Sequence, residues 1–133
     1  MSDNLEFEHV TTKAAVETYE SSAPIFLGLL VEVRDLSKKK PEATMSASKV
    51  KLVNRVLTDL LTILKDEPAG KYLFELDEDA LPQMSDAVLT MVQFKTALDS
   101  FRSRYHDRLY PGGDYTWITS ELLAEHNEDA EED

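Results

Sequence analysis

Between Ser46 and Lys65 the apolar residues Val50, Val53, Leu57, Leu60 and Leu64 recur at spacings of 3, 4, 3 and 4. That period puts all five on one stripe of an α-helix, whereas a strand would send Val50 and Val53 to opposite faces. Leu52, Val56 and Ile63 add a second apolar strip, so this helix is expected to pack against more than one neighbour. Lys51, Arg55, Thr58, Thr62 and Lys65 leave a narrow polar stripe for water. Ser46 suits the helix start, and Pro68 with Gly70 ends it, giving a helix over about 46–66.

Two other segments supply the neighbours. Phe26, Leu29, Val33 and Leu36 follow a 3-4-3 spacing, widened by Ile25, Leu30 and Val31. Ser21 or Ser22 reads as the N-cap and Pro24 as a first-turn residue, with a helix over 23–39. Lys38 to Lys40 then complement the negative helix end, and Pro41 stops it. A buried strand is the competing reading of "IFLGLLVEV", but the cap and the following "RDLSKKK" favour helix. Gly28 marks an expected close approach by another helix. Upstream, "KAAVETYE" (13–20) reads as a separate short helix.

The third long helix is expected over 85–109, where Val88, Met91, Phe94, Leu98, Phe101 and Tyr105 recur at 3 or 4. "YPGGDY" breaks it. "KYLFELDEDALPQ" reads as a short helix or turn offering Tyr72, Leu73, Leu76 and Leu81 to the core. Beyond the break, "TWITSELLAEH" is expected to add an amphipathic turn or two, and "NEDAEED" reads as a solvated acidic tail. The expected fold class is all-α: a bundle of three main helices with short helical pieces and that tail. Residues 1–110 form the expected bundle with a polar N-terminal arm, and 111–133 an aromatic and acidic terminal segment.

Charge is the chain's other strong signal. The formal net charge is −12, yet residues 34–55 hold seven Lys or Arg against two acidic residues. Residues 109–133 hold eight acidic residues and no Lys or Arg. Three accounts fit the basic island. It is a solvated surface whose lysines cap a helix. Or it is an anion site in which Lys38, Lys39, Lys40, Ser46, Ser48, Lys49, Lys51 and Arg55 meet carboxylates of a partner, this chain's own tail, or a phosphate. Or it joins Arg102, Arg104 and Arg108 in contacting nucleic acid, which requires both clusters on one face and must overcome the surrounding negative charge. Tyr115 and Trp117 make the terminal segment too apolar for a free tail. It folds back on the bundle or docks onto a partner in the manner of a groove-binding helix.

Chemistry is sparsely signalled. With no cysteine, disulfides, thiolate metal sites and cysteine nucleophiles are excluded. Glu6 and His9 give one Glu-x-x-His, where a di-iron bundle needs two and further carboxylates. "DEDALP" (77–82) puts Pro82 where a calcium loop needs glycine. Gly70-Lys71 lacks the rest of a phosphate-binding loop. No enzyme activity, cofactor or metal is therefore expected. Absence of a signal-peptide pattern and of a membrane-length apolar run points to a cytoplasmic protein without membrane contact. The expectation is a non-enzymatic interaction protein, an accessory, regulatory or inhibitory subunit that binds a protein partner or forms a homo-oligomer. The alternative is a binder of phosphate-bearing ligand or nucleic acid through 38–55 and 102–108.

Overall fold

The computed structural model describes residues 6–131, and the side chains of residues 6–129. It is a mostly helical, compact bundle, in agreement with the all-α expectation. Its elements are α1 (Lys13–Lys39), α2 (Ala47–Leu64), a 3-10 turn (Pro68–Gly70), α3 (Met84–Tyr105), β1 (His106–Arg108), β2 (Tyr115–Trp117) and α4 (Ser120–Glu131).

The α2 seam is buried as its spacing requires: Val50, Val53, Leu57, Leu60 and Leu64 all lie in the core. Ser46 caps the helix by accepting the Lys49 N–H at 3.3 Å. Opposite the seam stand Phe26, Leu30 and Val33 from α1 and Met91, Phe94, Leu98 and Phe101 from α3. Phe26 and Phe94 meet near the middle of the core, with ring centroids 6.3 Å apart.

The first helix differs from expectation. Segments 13–20 and 23–39 are one continuous helix, capped not by Ser21 or Ser22 but by Thr12, whose hydroxyl accepts the Ala15 N–H at 3.1 Å. Pro24 therefore lies inside α1, on its exposed side. An internal proline costs about 3 kcal/mol. Val16, Ala23, Phe26 and Leu30 are buried on both sides of it. A large side chain gains about 1.5–3 kcal/mol on full burial, so shared packing outweighs the break. Ile25 and Val31 do not widen the buried face; both are exposed. Gly28 admits no neighbouring helix of this chain: a Cβ built there would meet nothing within 4 Å.

Residues 71–83 form no helix. They cross from the end of α2 to the start of α3 as an extended segment, clamped halfway by buried Asn54. The Asn54 side chain accepts the Leu76 N–H at 2.9 Å and donates to the Leu76 carbonyl at 2.8 Å. Leu76 is buried and Leu73 and Leu81 half-buried, but Tyr72 is 75% exposed and covers nothing. The Asp77 carboxylate, accepting N–H groups of Asp79 and Ala80 at 2.8 Å each, turns the chain.

α3 ends at Tyr105, short of the expected 109. His106 to Arg108 leave the helix to pair antiparallel with Tyr115 to Trp117, in register His106 with Trp117 and Arg108 with Tyr115. Gly112 carries the positive φ of 82° in the connecting turn. The Ile118 N–H donates to the Tyr105 carbonyl at 2.7 Å, and Thr11 bridges to residues 118–120 through its N–H and carbonyl. Ile118 is fully buried. The segment after 110 thus folds back on the bundle. The expected tail is helical as far as Glu131, and Asp133 and Glu132 lie outside the described residues. Among the described residues, no helix is long and apolar enough to cross a membrane.

Candidate functional site

The basic island is the tip of the α1–α2 hairpin. α1 delivers Lys38 and Lys39 in its last turn, and Lys40 closes it by donating its N–H to the Leu36 carbonyl at 3.0 Å. The loop behind them is fixed to the start of α3. Met45 N–H donates to Pro82 at 2.8 Å, Met84 N–H to Ala43 at 2.9 Å and Ser85 N–H to Pro41 at 3.0 Å, while the Met45 side chain is wholly buried. The lysines therefore stand on a rigid scaffold. Lys38 has one exposed pairing, 3.9 Å from Asp35, of the kind that contributes little.

At the same tip Ser46, Ser48, Lys49 and Lys51 begin α2, all exposed. Ser46 spends its hydroxyl on the cap, with the Ser48 hydroxyl 3.4 Å away. Arg55 follows Lys51 by one turn on the solvent face. The structure brings the other seven of these residues to one end of the molecule, with Arg55 about 14 Å along α2 from Ser46.

Arg102, Arg104 and Arg108 are at the other end. α3 starts at the tip and runs away from it, so Arg102, eighteen residues along from Met84, is roughly 27 Å distant at 1.5 Å per residue. The two basic clusters do not form one surface. Nor does α4 (Ser120–Glu131) reach the tip of its own chain. α4 starts beside the N-terminus of α1, where Glu121 accepts the Lys13 N–H at 3.0 and 3.1 Å. Its twelve residues span about 18 Å, against about 40 Å for α1.

The far cluster itself divides. Arg104 turns inward: its Nε is buried without a hydrogen-bond partner, 3.9 Å from Glu67, and its guanidinium lies over the Tyr105 ring at 5.8 Å. Glu67 accepts the Tyr105 hydroxyl at 2.8 Å. Burial, and then this bond to a carboxylate, raise the Tyr105 pKa above its ordinary value. The Tyr105–Glu67 bond thus ties the start of the 3-10 turn to α3, with Arg104 beside it and an open cleft of about 520 Å³ that Thr96, Ser100 and Ser103 also line.

Arg102 and Arg108 turn outward. Arg102, Ser103, His106 and Tyr115 line a surface depression of about 350 Å³. The Arg108 guanidinium sits 4.7 Å from the Tyr115 ring centre, and His106 stacks on the same ring at 5.8 Å and 15°. Tyr115 is 57% exposed. Trp117, two residues on along the same side of β2, lies edge-on to His106 at 5.1 Å and to Tyr19 at 4.9 Å and against Phe101 at 5.8 Å, so it is a packing residue. The hairpin that unites residues 102–108 with 115 is absent from the helical reading. Its trace in the sequence is the run of aromatic and β-branched residues "YTWIT" after a double-glycine turn.

The second apolar strip of α2, Leu52, Val56 and Ile63, lies along the outside of the α1–α2 hairpin, with Ile25, Leu29 and Leu36 of α1 beside it. Thr18, Ile25, Leu29 and Leu36 recur at 7, 4 and 7 on α1, and Ile63, Val56 and Leu52 at 7 and 4 on α2. Thr18 and Ile63 line one shared hollow, which sets the two rows side by side. Ile25 is 57% and Leu52 49% exposed, with Leu29 and Val56 half-buried between them. Among the described residues, no three His, Asp or Glu side chains converge as metal ligands would. No protein-family model, curated protein or solved structure matches the chain.

Proposed function

We propose that the chain is a non-enzymatic protein-interaction module, an accessory or regulatory subunit of the cytoplasm. It presents a basic helical tip at one end and an arginine–tyrosine face with an acidic helix at the other. One observation carries this reading: Ile25 and Leu52 are exposed in an apolar strip that runs directly into the lysines of the tip. Contiguous apolar surface beside charge is what a protein partner uses, because burying it drives association while the charges steer encounter.

The phosphate or nucleic-acid reading loses support from the separation of the basic clusters, since a single ligand would have to bridge both ends past intervening carboxylates. Affinity capture from cell lysate tests the interaction reading, with the wild-type chain compared against an Ile25→Glu/Leu52→Glu double variant. Both positions are exposed, so the variant should keep its circular dichroism and lose the partners that the wild type retains. Identical partner sets for the two proteins would overturn the reading.

A further inference from the structure

The strip on the α1–α2 hairpin is charged unequally along its length. Three residues beyond Leu36 the α1 row reaches Lys39, and three residues before Leu52 the α2 row reaches Lys49. Both are exposed; the exposed carboxylates on that half are Glu32 within the α1 row, Asp35 at 3.9 Å from Lys38, and Glu42 in the loop, against the exposed Lys38, Lys39, Lys40, Lys49 and Lys51. Towards the opposite end, Asp66 lines the hollow shared by Thr18 and Ile63, and exposed Asp59 and Glu17 flank it. The strip is therefore basic at the tip, apolar in the middle and acidic at the far end. Gly28 lies at mid-length, where nothing occupies the space a Cβ would point into.

Such a surface is complementary to itself after a half-turn. Two copies set antiparallel, face to face, put apolar middle on apolar middle and the basic end of each against the acidic end of the other. A parallel arrangement would oppose like charges at both ends. We infer that a second copy of this chain covers the strip, in a closed two-fold dimer with its axis near Gly28. The inference rests on the interaction reading and names the occupant. An isologous contact of this kind closes at two subunits, whereas a head-to-tail contact between tip and α4 would propagate. A missing side chain at the axis lets the two α1 backbones approach closely. The face is about 27 Å long, the length of α2, and about two helices wide, or roughly 500 Å² per copy. That lies at the small end of specific interfaces, so the dimer should form at micromolar rather than nanomolar concentration.

The test uses the full chain, whose lack of cysteine makes single-cysteine variants clean probes. Sedimentation equilibrium at about 100 μM should give twice the monomer mass, consistent with a small interface. Raising the salt to about 1 M should weaken the dimer roughly tenfold or more, as end charges are screened. Ile25→Glu should give a monomer with unchanged circular dichroism. Under mild oxidation Gly28→Cys should form a disulfide-linked homodimer. Lys39→Cys should cross-link with Asp66→Cys in a mixture of the two variants but not with itself. A wild-type monomer at that concentration overturns the inference, as does a dimer indifferent to Ile25→Glu or one in which Lys39→Cys links to itself. A monomer whose captured lysate partner is lost on Ile25→Glu overturns the two-fold dimer while leaving the interaction reading standing.

Discussion

Asn54 is the polar residue on which the 71–83 crossover depends, and replacing it with alanine separates two ways of holding that segment. In the folded chain its amide makes two bonds to the backbone of Leu76, both buried, at 2.8 and 2.9 Å. Asn54→Ala deletes both partners and leaves the Leu76 N–H and carbonyl unpaired. Each lost bond contributes about 1 kcal/mol net, and each buried group left without a partner costs about 1–3 kcal/mol. Because the crossover is at the bundle surface, water can enter and satisfy part of this. The expected loss is therefore about 2–4 kcal/mol. Urea denaturation followed by circular dichroism should show the midpoint falling at constant slope, because the surface exposed on unfolding hardly changes. Limited trypsin digestion should speed up at Lys71, which stands next to the clamped stretch. A loss below about 1 kcal/mol with unchanged digestion would refute the clamp, and would mean that the buried Leu76 side chain, the Thr58–Glu75 bond and the Met45–Pro82 bond hold the segment.

Three further outcomes are expected. Gly70→Ala should lower the melting temperature, at a cost of about 1–3 kcal/mol, because its Cβ would collide with the backbone carbonyl of Leu64. Tyr105 has a raised pKa in the folded chain, so its contribution to stability is complete below the ordinary tyrosine value of 10.0 and is lost as pH rises through the folded value. Ultraviolet titration should find a late-ionising tyrosine among the five, and Tyr105→Phe should remove it. Glu121 shows the opposite sign. The Ser120 hydroxyl and then the Lys13 N–H hold its pKa below 4.5, so its stabilisation is present above that value and disappears as pH falls through the folded one. Fluorescence of Trp117, the chain's single tryptophan, should follow this acid transition, and Glu121→Gln should flatten it.

The long helices were legible because their cores are local patterns. Five seam residues of α2 and five from Met91 to Tyr105 on α3 recur at helical spacing, and each of them is buried. The grouping of Lys38–Lys40 with Ser46–Lys51 was legible too, since a short loop between two helices makes them antiparallel. The fate of Pro24 was not. A proline after two serines has the local signature of a helix start, and only packing on both sides of it makes α1 continuous. Likewise Ile25 and Leu29 are similar in sequence terms, and their different exposure depends on where α2 lies.

The sequence by itself determined the helical class, the main helix that carries the seam and the charge asymmetry, because each follows from residue spacing or composition along the chain. The tertiary structure decided which charges share an end, that Arg104 turns inward while Arg108 turns outward, and that Trp117 packs on Tyr19 and Phe101. Those outcomes depend on the direction of α3 and on a strand pairing that closes across residues 109–114. Helical periodicity records the next turn of the same helix; it carries no information about which distant segment will lie opposite.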